Sequence, residues 1–362
     1  MNEDLEDLRE KIDEIDAEIV EKLDRRARVV KEIGEIKRKQ EMKMYAPGRE
    51  RQVIQRLVEL GEGEFPSASL KQIYREIIAT CLNLEKPMTV AYLGPRATFT
   101  HSAALNKFGR SSNLQPYESV PMVFDAVERK EVDFGLVPVE SSREGAVRHT
   151  LDRFIESNLS ICNESFLMIN LFLLSREEEL SEIDTVYSHR QAIEQASRWL
   201  DQKLPEVQIK RVNSTAEAAD IARETPRTAA VAGEAAADIY DLDILARNIE
   251  NNADNYTRFL VIGDQVPEAT GDDKTSIAFS VQDRAGALYE MLEPFGRQEI
   301  NMTKIESRPS KSKTWDYIFF VDFLGHQAEE NIRSLLENLK SRSPFFKILG
   351  SYPREEPFHE GK

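Results

Sequence analysis

The chain has 362 residues, with 48 Lys and Arg against 64 Asp and Glu, which gives a formal net charge of −16. This acidity argues against a nucleic-acid or anionic-membrane partner, because phosphate groups are bound through an excess of Lys and Arg. The length favours two or three domains, and a hydrophobic content of 41% is ample for packed cores.

The first 87 residues are predicted to be helical. Apolar residues recur every three or four positions from Leu5 to Ile33, which is the spacing of a helix seam. The pattern predicts one helix over about 2–39, followed by helices over about 47–60 and 67–84. The first helix would be about 55 Å long, and its apolar stripe is too extensive for so small a domain to cover.

Short apolar runs that end in turn residues follow, and helix-like segments lie between them. The runs predict strands at 88–94, 133–139, 168–174, 184–189, 207–212, 228–233 and 258–263. This alternation is typical of an α/β domain with largely parallel sheets, long enough to form two lobes with a cleft between them. Ligands of such folds bind at strand carboxyl ends and helix amino ends.

A polar segment at 267–274 is predicted to be a linker, and the elements after it follow the order βαββαβ, the ferredoxin-like split motif. The expected organisation is therefore an all-helical domain over 1–87, a two-lobed α/β domain over 88–266 and an α+β domain over 275–353.

Two cations fall on the apolar seam of the first helix. Arg26 and Lys37 lie 11 residues apart, so they point the same way about 16 Å from each other. Burying cations without partners is costly, so this placement favours a small anionic ligand. Arg9 lies about 42 Å from Lys37 along one helix. If Arg9 binds the same ligand, it does so in a partner's site, which predicts an antiparallel, intertwined dimer.

Motifs in all three regions of the chain carry a family resemblance. Residues 8–16 (LREKIDEID), 45–52 (YAPGRERQ) and 75–85 (REIIATCLNLE) resemble the chorismate mutase domain of bifunctional chorismate mutase/prephenate dehydratases. The α/β region resembles prephenate dehydratase in GPRATFTHSAA, VPVESSREGAV, YSHRQA, STAEAA and NNADNYTRF. DRAGALYEML and KIESRP resemble the phenylalanine-binding ACT domain. The motifs occur in family order, and the α/β domain is then expected to be periplasmic-binding-protein-like.

The resemblance implies that the helical domain converts chorismate to prephenate by an intramolecular rearrangement. Catalysis then consists of holding the compact substrate and stabilising negative charge at the breaking ether oxygen. The family pattern maps the substrate carboxylates to Arg26, Arg49 and the Arg9 of a partner chain. It places Lys37 at the ether oxygen and Glu50 at the ring hydroxyl.

The helical domain departs from the family pattern at three positions. The usual Ser and Gln of the third helix are Cys81 and Glu85, and Ala46 replaces a frequent Asp. A Gln amide can donate to the ether oxygen, whereas a carboxyl group donates only when protonated. With Glu85 as a catalytic residue, we hypothesise that mutase activity is favoured at lower pH.

In the α/β domain the resemblance implies decarboxylation of prephenate with loss of its ring hydroxyl, which gives phenylpyruvate. Thr257 is the implied donor to the leaving hydroxyl, and Arg258 is a candidate for a substrate carboxylate. Ser141 stands where the family usually has Asn. The implied substrate-binding residues beside Arg258 are Thr98, Thr100, Glu140, Ser141, Ser188, His189, Gln191 and Phe259.

The last domain is expected to be regulatory, with L-phenylalanine as the feedback effector. The implied effector-binding residues open a helix and end a strand: Gly286, Ala287, Leu288, Glu306, Ser307, Arg308 and Pro309. Helix-opening amides suit the effector's carboxylate.

Two alternatives stay open. The helical domain can be a catalytically inactive dimerisation piece, which Ala46, Cys81 and Glu85 favour. A non-enzymatic two-lobed ligand sensor is the other alternative, and the Thr257-Arg258-Phe259 motif argues against it.

The remaining expectations concern surroundings and partners. The partners are chorismate, prephenate, L-phenylalanine and at least one further copy of the chain, with no metal and no cofactor. Two cysteines, an acidic amino terminus and the lack of an apolar run of roughly 20 residues predict a cytoplasmic protein.

Overall fold

The computed structural model describes residues 2–40, 45, 47–61, 63–143, 145–252, 254–309 and 317–357. The chain forms two compact units, one of residues 1–88 with 108–113 and one of residues 89–107 with 114–362. None of the helices in this described part is both long and apolar enough to cross a membrane.

The first unit is built on three helices, and their bounds confirm the helices predicted from apolar periodicity: α1 (Asn2–Lys39), α2 (Pro47–Leu60) and α3 (Ser67–Glu85). Helices α1 and α3 come very close at Gly34. A Cβ atom at this position would lie 2.6 Å from the Cγ atom of Glu85, so the approach requires glycine.

Helix α1 leaves its apolar stripe uncovered within a single chain. Leu8, Ile12 and Ile15 are 56%, 57% and 56% exposed. Scattered exposed leucines need no explanation, but a continuous stripe along one helix marks a surface that another molecule covers.

The second unit begins with the α/β region. Its elements are, in chain order, β1 (Thr89–Leu93), α4 (Phe99–Phe108), β2 (Asn113–Tyr117), α5 (Val120–Glu128), β3 (Phe134–Ser141), β4 (Gly145–Ala146), α6 (Arg148–Glu156), β5 (Ser160–Met168), β6 (Phe172–Ser175), a 3₁₀ turn (Leu180–Glu182), β7 (Thr185–His189), α7 (Arg190–Lys203), β8 (Gln208–Val212), α8 (Thr215–Glu224), β9 (Thr228–Ala232), α9 (Ala235–Tyr240), β10 (Asp243–Ala246) and β11 (Tyr256–Gly263).

These strands form two sheets, one in each lobe. The first has the order β2-β1-β3-β11-β5, with β4 paired to β3, and the second has the order β10-β6-β9-β7-β8. The two crossings between the lobes run side by side. The Ile169 amide donates to the Asn255 carbonyl at 2.7 Å, and the Ile249 amide donates to the Leu171 carbonyl at 2.9 Å. The expected two-lobed α/β class is confirmed.

The expectation of largely parallel sheets is met only in part, because one strand of each sheet runs antiparallel to its neighbours. Strand β1 pairs parallel with β3, and β7 pairs parallel with β8 and β9. In contrast, β11 runs antiparallel to β3 and β5, and β6 runs antiparallel to β9 and β10. Strands β6 and β11 are those that directly follow a crossing between lobes, so each enters its sheet in the opposite direction. The strand predicted at 168–174 is likewise divided by the crossing at 169–171.

The carboxyl-terminal part of the unit has the predicted βαββαβ order, which confirms the ferredoxin-like α+β class: β12 (Asp273–Ser280), α10 (Ala287–Arg297), β13 (Met302–Pro309), β14 (Tyr317–Leu324), α11 (Glu330–Arg342) and β15 (Phe346–Pro353). Its antiparallel sheet has the order β13-β14-β12-β15.

The two faces of this sheet have different neighbours. Ile277, Phe279 and Phe323 pack in one hydrophobic cluster with residues of α10 and α11. Phe320 and Tyr352, on the opposite face, share a hydrophobic cluster with the core of the first α/β lobe. One face of the sheet is therefore packed directly against the first lobe.

Candidate active sites and effector site

A cleft of about 270 Å³ lies between the two α/β lobes. The structure brings most of the expected dehydratase residues to its wall: Thr98, Thr100, Ser141, His189, Gln191, Thr257 and Phe259. Among the lining residues in the described part of the chain there is no Lys or Arg.

Three helices begin at this cleft. Helices α4, α7 and α8 start at Phe99, Arg190 and Thr215, and lining residues are found at each of these starts. The first turn of a helix presents unpaired amide donors at the positive end of the helix dipole. The convergence of three such ends lets the cleft hold a multiply charged anion without a cationic side chain.

Side chains cap two of these helix starts. The Ser214 hydroxyl accepts from the Glu217 amide at 3.0 Å, and His189 Nδ1 accepts from the Gln191 amide at 3.3 Å. An accepting Nδ1 leaves the proton of a neutral imidazole on Nε2, where it can be donated to a ligand. The caps therefore keep the cleft donors in defined positions.

Thr257 and Ser141 face each other across the β11–β3 ladder as direct Cα partners. Both line the cleft, and Phe259, two residues beyond Thr257 on the same strand face, is 1% exposed at its wall. The threonine hydroxyl thus projects from a central strand of the sheet, which is a rigid support for a hydrogen-bond donor.

In the helical unit the structure brings Lys37 to Glu85. The Lys37 Nζ atom lies 2.8 Å from Glu85 Oε1, and Glu85 is 5% exposed. Cys81 is buried one turn earlier on α3, on the same face as Glu85. These three expected residues therefore form one group.

The remaining expected mutase residues differ in their exposure to solvent. Arg26 is half-buried, and its Nη1 atom is buried without a hydrogen-bond partner among the described residues. Arg49 is exposed at the start of α2, and its neighbour Glu50 is half-buried. Arg9 is exposed near the far end of α1 from Lys37. Ala46 lies outside the described residues.

A second cavity, of about 380 Å³, opens beside the start of α10. Gly286, Ala287 and Leu288 line it, together with Tyr317 and Phe319 of β14. Gly286 adopts a φ of 80° directly before α10, a conformation that favours glycine, and the Ala287 amide that follows it donates to the Arg284 carbonyl at 3.2 Å.

The four expected effector residues of β13 are divided between the two faces of the sheet. Ser307 and Pro309 are the cross-strand partners of Phe319 and Tyr317, so they lie on the face of the cavity. Glu306 and Arg308 lie on the opposite face, where an Arg308 Nη2 atom is 3.2 Å from the Asp152 carboxylate of the first lobe. The structure does not bring Glu306 and Arg308 to the cavity, because neighbouring side chains of a strand point in opposite directions.

Comparison with known proteins gives the same division of the chain. Family models match at residues 8–86 (chorismate mutase type II), 90–267 (prephenate dehydratase) and 275–341 (ACT domain). A bifunctional chorismate mutase/prephenate dehydratase of Aquifex aeolicus is 50% identical over 97% of this chain and 98% of its own length. The chain belongs to this bifunctional family.

Two further relatives of this chain fit the assignment. The bifunctional enzyme of Pseudomonas aeruginosa is 42% identical over 97% of this chain and 98% of its own length. A prephenate dehydratase of Arthrobacter aurescens, solved in complex with L-Phe, is 33% identical with a TM-score of 0.68. The structural match covers 74% of this chain and 90% of the Arthrobacter aurescens chain.

Three expected dehydratase residues of this family member lie away from the cleft. Ser188 is buried, and its hydroxyl donates to the Val231 carbonyl at 2.5 Å, which ties β7 to β9. Glu140 and Arg258 lie on the back of the β3–β11 ladder, because each is one residue from a cleft-facing partner. The expectation that Arg258 meets a substrate carboxylate is therefore not matched by its position.

All three kinds of donor on the Arg258 guanidinium are engaged elsewhere. Nε donates to Glu164 at 2.8 Å, Nη1 to Asp322 at 2.6 Å and Nη2 to the Tyr352 hydroxyl at 2.9 Å. Burial opposes the charge of Arg258, but Asp322, Tyr352 and Glu164 together raise its pKa well above the ordinary value. The pKa of Asp322 is raised by burial and lowered more strongly by Arg258 and Ser276, so its carboxylate is ionised.

Sequence reasoning missed a pair of amides in the cleft. Asn255 is 2% exposed, and its Nδ2 donates to Gln195 Oε1 at 3.1 Å, while its Oδ1 is buried without a partner among the described residues. Both side chains line the cleft. The signal was the spacing of two between Asn255 and Thr257, which places both residues on one side of an extended chain.

Proposed function

We propose that this chain converts chorismate to prephenate in its helical unit and prephenate to phenylpyruvate in its α/β cleft, with feedback inhibition by L-phenylalanine. The observation that carries this proposal is the cleft, where three helix amino ends surround the Thr257 hydroxyl. Such a site suits a small dicarboxylate with a poor leaving group.

For the dehydratase step we propose that Thr257 donates to the ring hydroxyl of prephenate. The ring carboxylate leaves as carbon dioxide, its bonding electron pair enters the ring, and the C–O bond breaks. The departing hydroxide takes a proton from solvent and leaves as water. The amides of α4, α7 and α8 hold the carboxylates, and His189 and Gln191 supply further donors. A donor at the leaving oxygen contributes about 10² to 10⁴ in rate.

For the mutase step we propose that Lys37 stabilises the developing charge on the ether oxygen while Arg26 and Arg49 bind carboxylates. The buried, unpaired Nη1 of Arg26 supports this role, because a buried guanidinium nitrogen needs an acceptor. Glu85 lies beside Lys37, and we propose that its carboxyl group contacts the same oxygen.

We propose that two copies of the chain pair antiparallel through α1, so that Arg9 enters the partner's site. The uncovered apolar stripe of α1 supports this arrangement. Arg9 lies about 42 Å from Lys37 on the same helix, so it cannot serve the site of its own chain.

One observation favours a second candidate for the helical unit. Lys37 is already paired with Glu85 at 2.8 Å, and an ammonium engaged by a carboxylate is less available to a substrate oxygen. The alternative is a prephenate dehydratase whose helical domain serves for dimerisation alone.

The effector proposal places L-phenylalanine in the cavity beside α10. Its carboxylate would accept from the amides of Gly286 and Leu288, and its ring would contact Phe319 and Tyr317. The Arthrobacter aurescens relative in complex with L-Phe supports this choice of ligand. We also propose a cytoplasmic location, since both cysteines are buried and neither forms a disulfide, as is typical of a reducing compartment.

A coupled assay tests the function as a whole. Chorismate supplied to the full chain should yield phenylpyruvate, and added L-phenylalanine should lower the rate. Phenylpyruvate from prephenate but not from chorismate would support the dimerisation alternative. No phenylpyruvate from either substrate would refute the proposal.

A further inference from the structure

A set of six charged side chains joins the back of the first α/β lobe to the regulatory sheet. We call it the interdomain charge cluster, and its members are Glu140, Glu164, Arg258, Lys274, Lys304 and Asp322. Three are acidic and three basic, so their formal charges balance. The four innermost, Glu164, Arg258, Lys274 and Asp322, are at most 8% exposed.

The contacts within the cluster cross between the domains. Lys274 of β12 places Nζ 2.8 and 2.9 Å from the two carboxylate oxygens of Glu164 on β5. Arg258 of β11 donates to Glu164 at 2.8 Å and to Asp322 of β14 at 2.6 Å. Removing one member of such a group leaves its partner buried and unpaired, so the arrangement resists small displacements.

The cluster lies directly behind the candidate dehydratase residues. In the β11–β3 ladder, Thr257 is paired with Ser141 and Arg258 with Glu140. The first pair faces the cleft and the second faces the regulatory sheet. The Lys304 ammonium of β13 donates to Glu140 at 2.7 Å, so both members of the back pair are held by regulatory strands.

Strand β14 also borders the effector cavity, and β13 is its neighbour in the sheet. Lys304 and Asp322 are cross-strand partners on β13 and β14, and they lie on the face toward the first lobe. On the other face of these strands, Phe319 lines the cavity and Ser307 is its cross-strand partner. A displacement of β14 at the cavity would therefore move Asp322 on its other face directly, and Lys304 through the pairing of β13 with β14.

We propose that the interdomain charge cluster positions Thr257 and transmits the effect of L-phenylalanine to the dehydratase cleft. Arg258 and Glu140 are thus positioning residues, which act through the backbone of β11 and β3. The inference rests on the proposed function, and it assigns to a specific cluster the coupling between the two sites. Misplacing a catalytic group by about 1 Å costs up to about 10²-fold in rate, so small strand shifts suffice for regulation.

Two matched substitutions of the full chain test the inference. Lys304→Met removes the contact to Glu140. Lys347→Met is the control, because Lys347 of β15 also bridges the domains, donating to the carbonyls of Phe154 and Ile155 at 2.8 and 3.2 Å, with no member of the cluster among those acceptors. Lys304→Met should lower the dehydratase kcat about 10-fold with KM changed less than about twofold, whereas Lys347→Met should leave both nearly unchanged.

The response to L-phenylalanine supplies a readout that needs no activity. Adding L-phenylalanine should change amide hydrogen exchange over Tyr256–Gly263 in the wild type and in Lys347→Met, but not in Lys304→Met. All three proteins should still bind L-phenylalanine in calorimetry, because Lys304 faces away from the cavity. The glutamine variant Glu140→Gln should retain a contact to Lys304 and thus most of the response.

The outcomes separate the two proposals. Equal kinetics and equal exchange responses in Lys304→Met and Lys347→Met overturn the role of the cluster, even if the chain makes phenylpyruvate. A wild-type chain that makes no phenylpyruvate, but shows the exchange response and loses it in Lys304→Met, refutes the proposed function and supports the cluster. If bound L-phenylalanine leaves amide hydrogen exchange in β11 of the wild type unchanged, the proposed transmission is wrong.

Discussion

The helical unit and the α/β cleft present different chemical groups to a small dicarboxylate. The helical unit offers cationic side chains, with Arg26 and Lys37 on one stripe of α1. The described lining of the cleft contains no cation and offers the amino ends of α4, α7 and α8 instead. Arg26 and Lys37 are half-buried on a helix whose apolar stripe is uncovered within one chain, whereas the helix ends between the two lobes form a site within one chain.

Because of this difference, the two sites should be sensitive to different changes. In the helical unit the proposed site depends on individual side chains and on a proposed partner copy, so single substitutions and dissociation should both abolish it. In the cleft the proposed anion-binding groups belong to the backbone, so the sensitive positions should be the proposed donor Thr257 and the residues that position its strand.

The largest expected effect is at the cleft. Thr257→Ala removes the proposed donor to the leaving hydroxyl and should lower the dehydratase kcat by about 10² to 10⁴, with KM for prephenate nearly unchanged. Thr257→Ser retains the hydroxyl and should keep most of the activity. Steady-state kinetics with prephenate measure both variants, and wild-type turnover by Thr257→Ala would remove Thr257 from the mechanism.

The next effect concerns the helical unit alone. Lys37→Ala removes the cation proposed at the ether oxygen and should lower the mutase kcat by about 10² to 10³. Lys39→Ala, an exposed lysine in the same last turn of α1, is the matched control and should have no effect. Rates of chorismate consumption decide between them, and dehydratase activity should be normal in both. Equal mutase rates in the two variants would favour the dimerisation alternative.

A smaller effect is expected where α1 meets α3. Gly34→Ala introduces a Cβ atom 2.6 Å from Glu85 Cγ, so the helices must separate and the unit should lose about 1–3 kcal/mol of stability. Gly63→Ala, whose Cβ would have nothing within 4 Å, is the control. Denaturant unfolding followed by circular dichroism measures the difference. Equal stability of the two variants would show that α1 and α3 do not depend on this approach.

The smallest expected effect is on pH dependence. If Glu85 donates to the ether oxygen as a protonated carboxyl, the wild-type mutase rate should be higher at lower pH, since a carboxylate cannot donate. Glu85→Gln supplies an amide donor at every pH and should flatten the profile. A flat wild-type profile, or an unchanged one in Glu85→Gln, would exclude this role.

Local features of the fold and of the cleft could be predicted from the sequence. The three helices were predictable from apolar periodicity, because apolar residues that recur every three or four positions fit one face of an α-helix and do not fit the two-residue period of a strand. Most cleft residues, such as Thr98 and Gln191, were expected from motifs at strand ends and helix starts. Local patterns of this kind are visible in a linear sequence.

Features that depend on distant residues were not predictable in this way. Strand β5 was missed because it carries Glu164 at its centre, and a buried acid looks polar until its partners are known. Those partners, Arg258 and Lys274, lie 94 and 110 residues away. Arg258 was assigned to the substrate because it adjoins Thr257, and the alternation of strand faces sends it to the opposite side.

The most direct test of the central claim is the fate of chorismate in the Thr257→Ala variant. The account predicts that chorismate is consumed at the wild-type mutase rate and that prephenate accumulates with almost no phenylpyruvate, because the two reactions use separate sites. Formation of phenylpyruvate at the wild-type rate would contradict the assignment of Thr257 to the dehydratase site. Failure to consume chorismate, with wild-type consumption under the same conditions, would contradict the separation of the two sites.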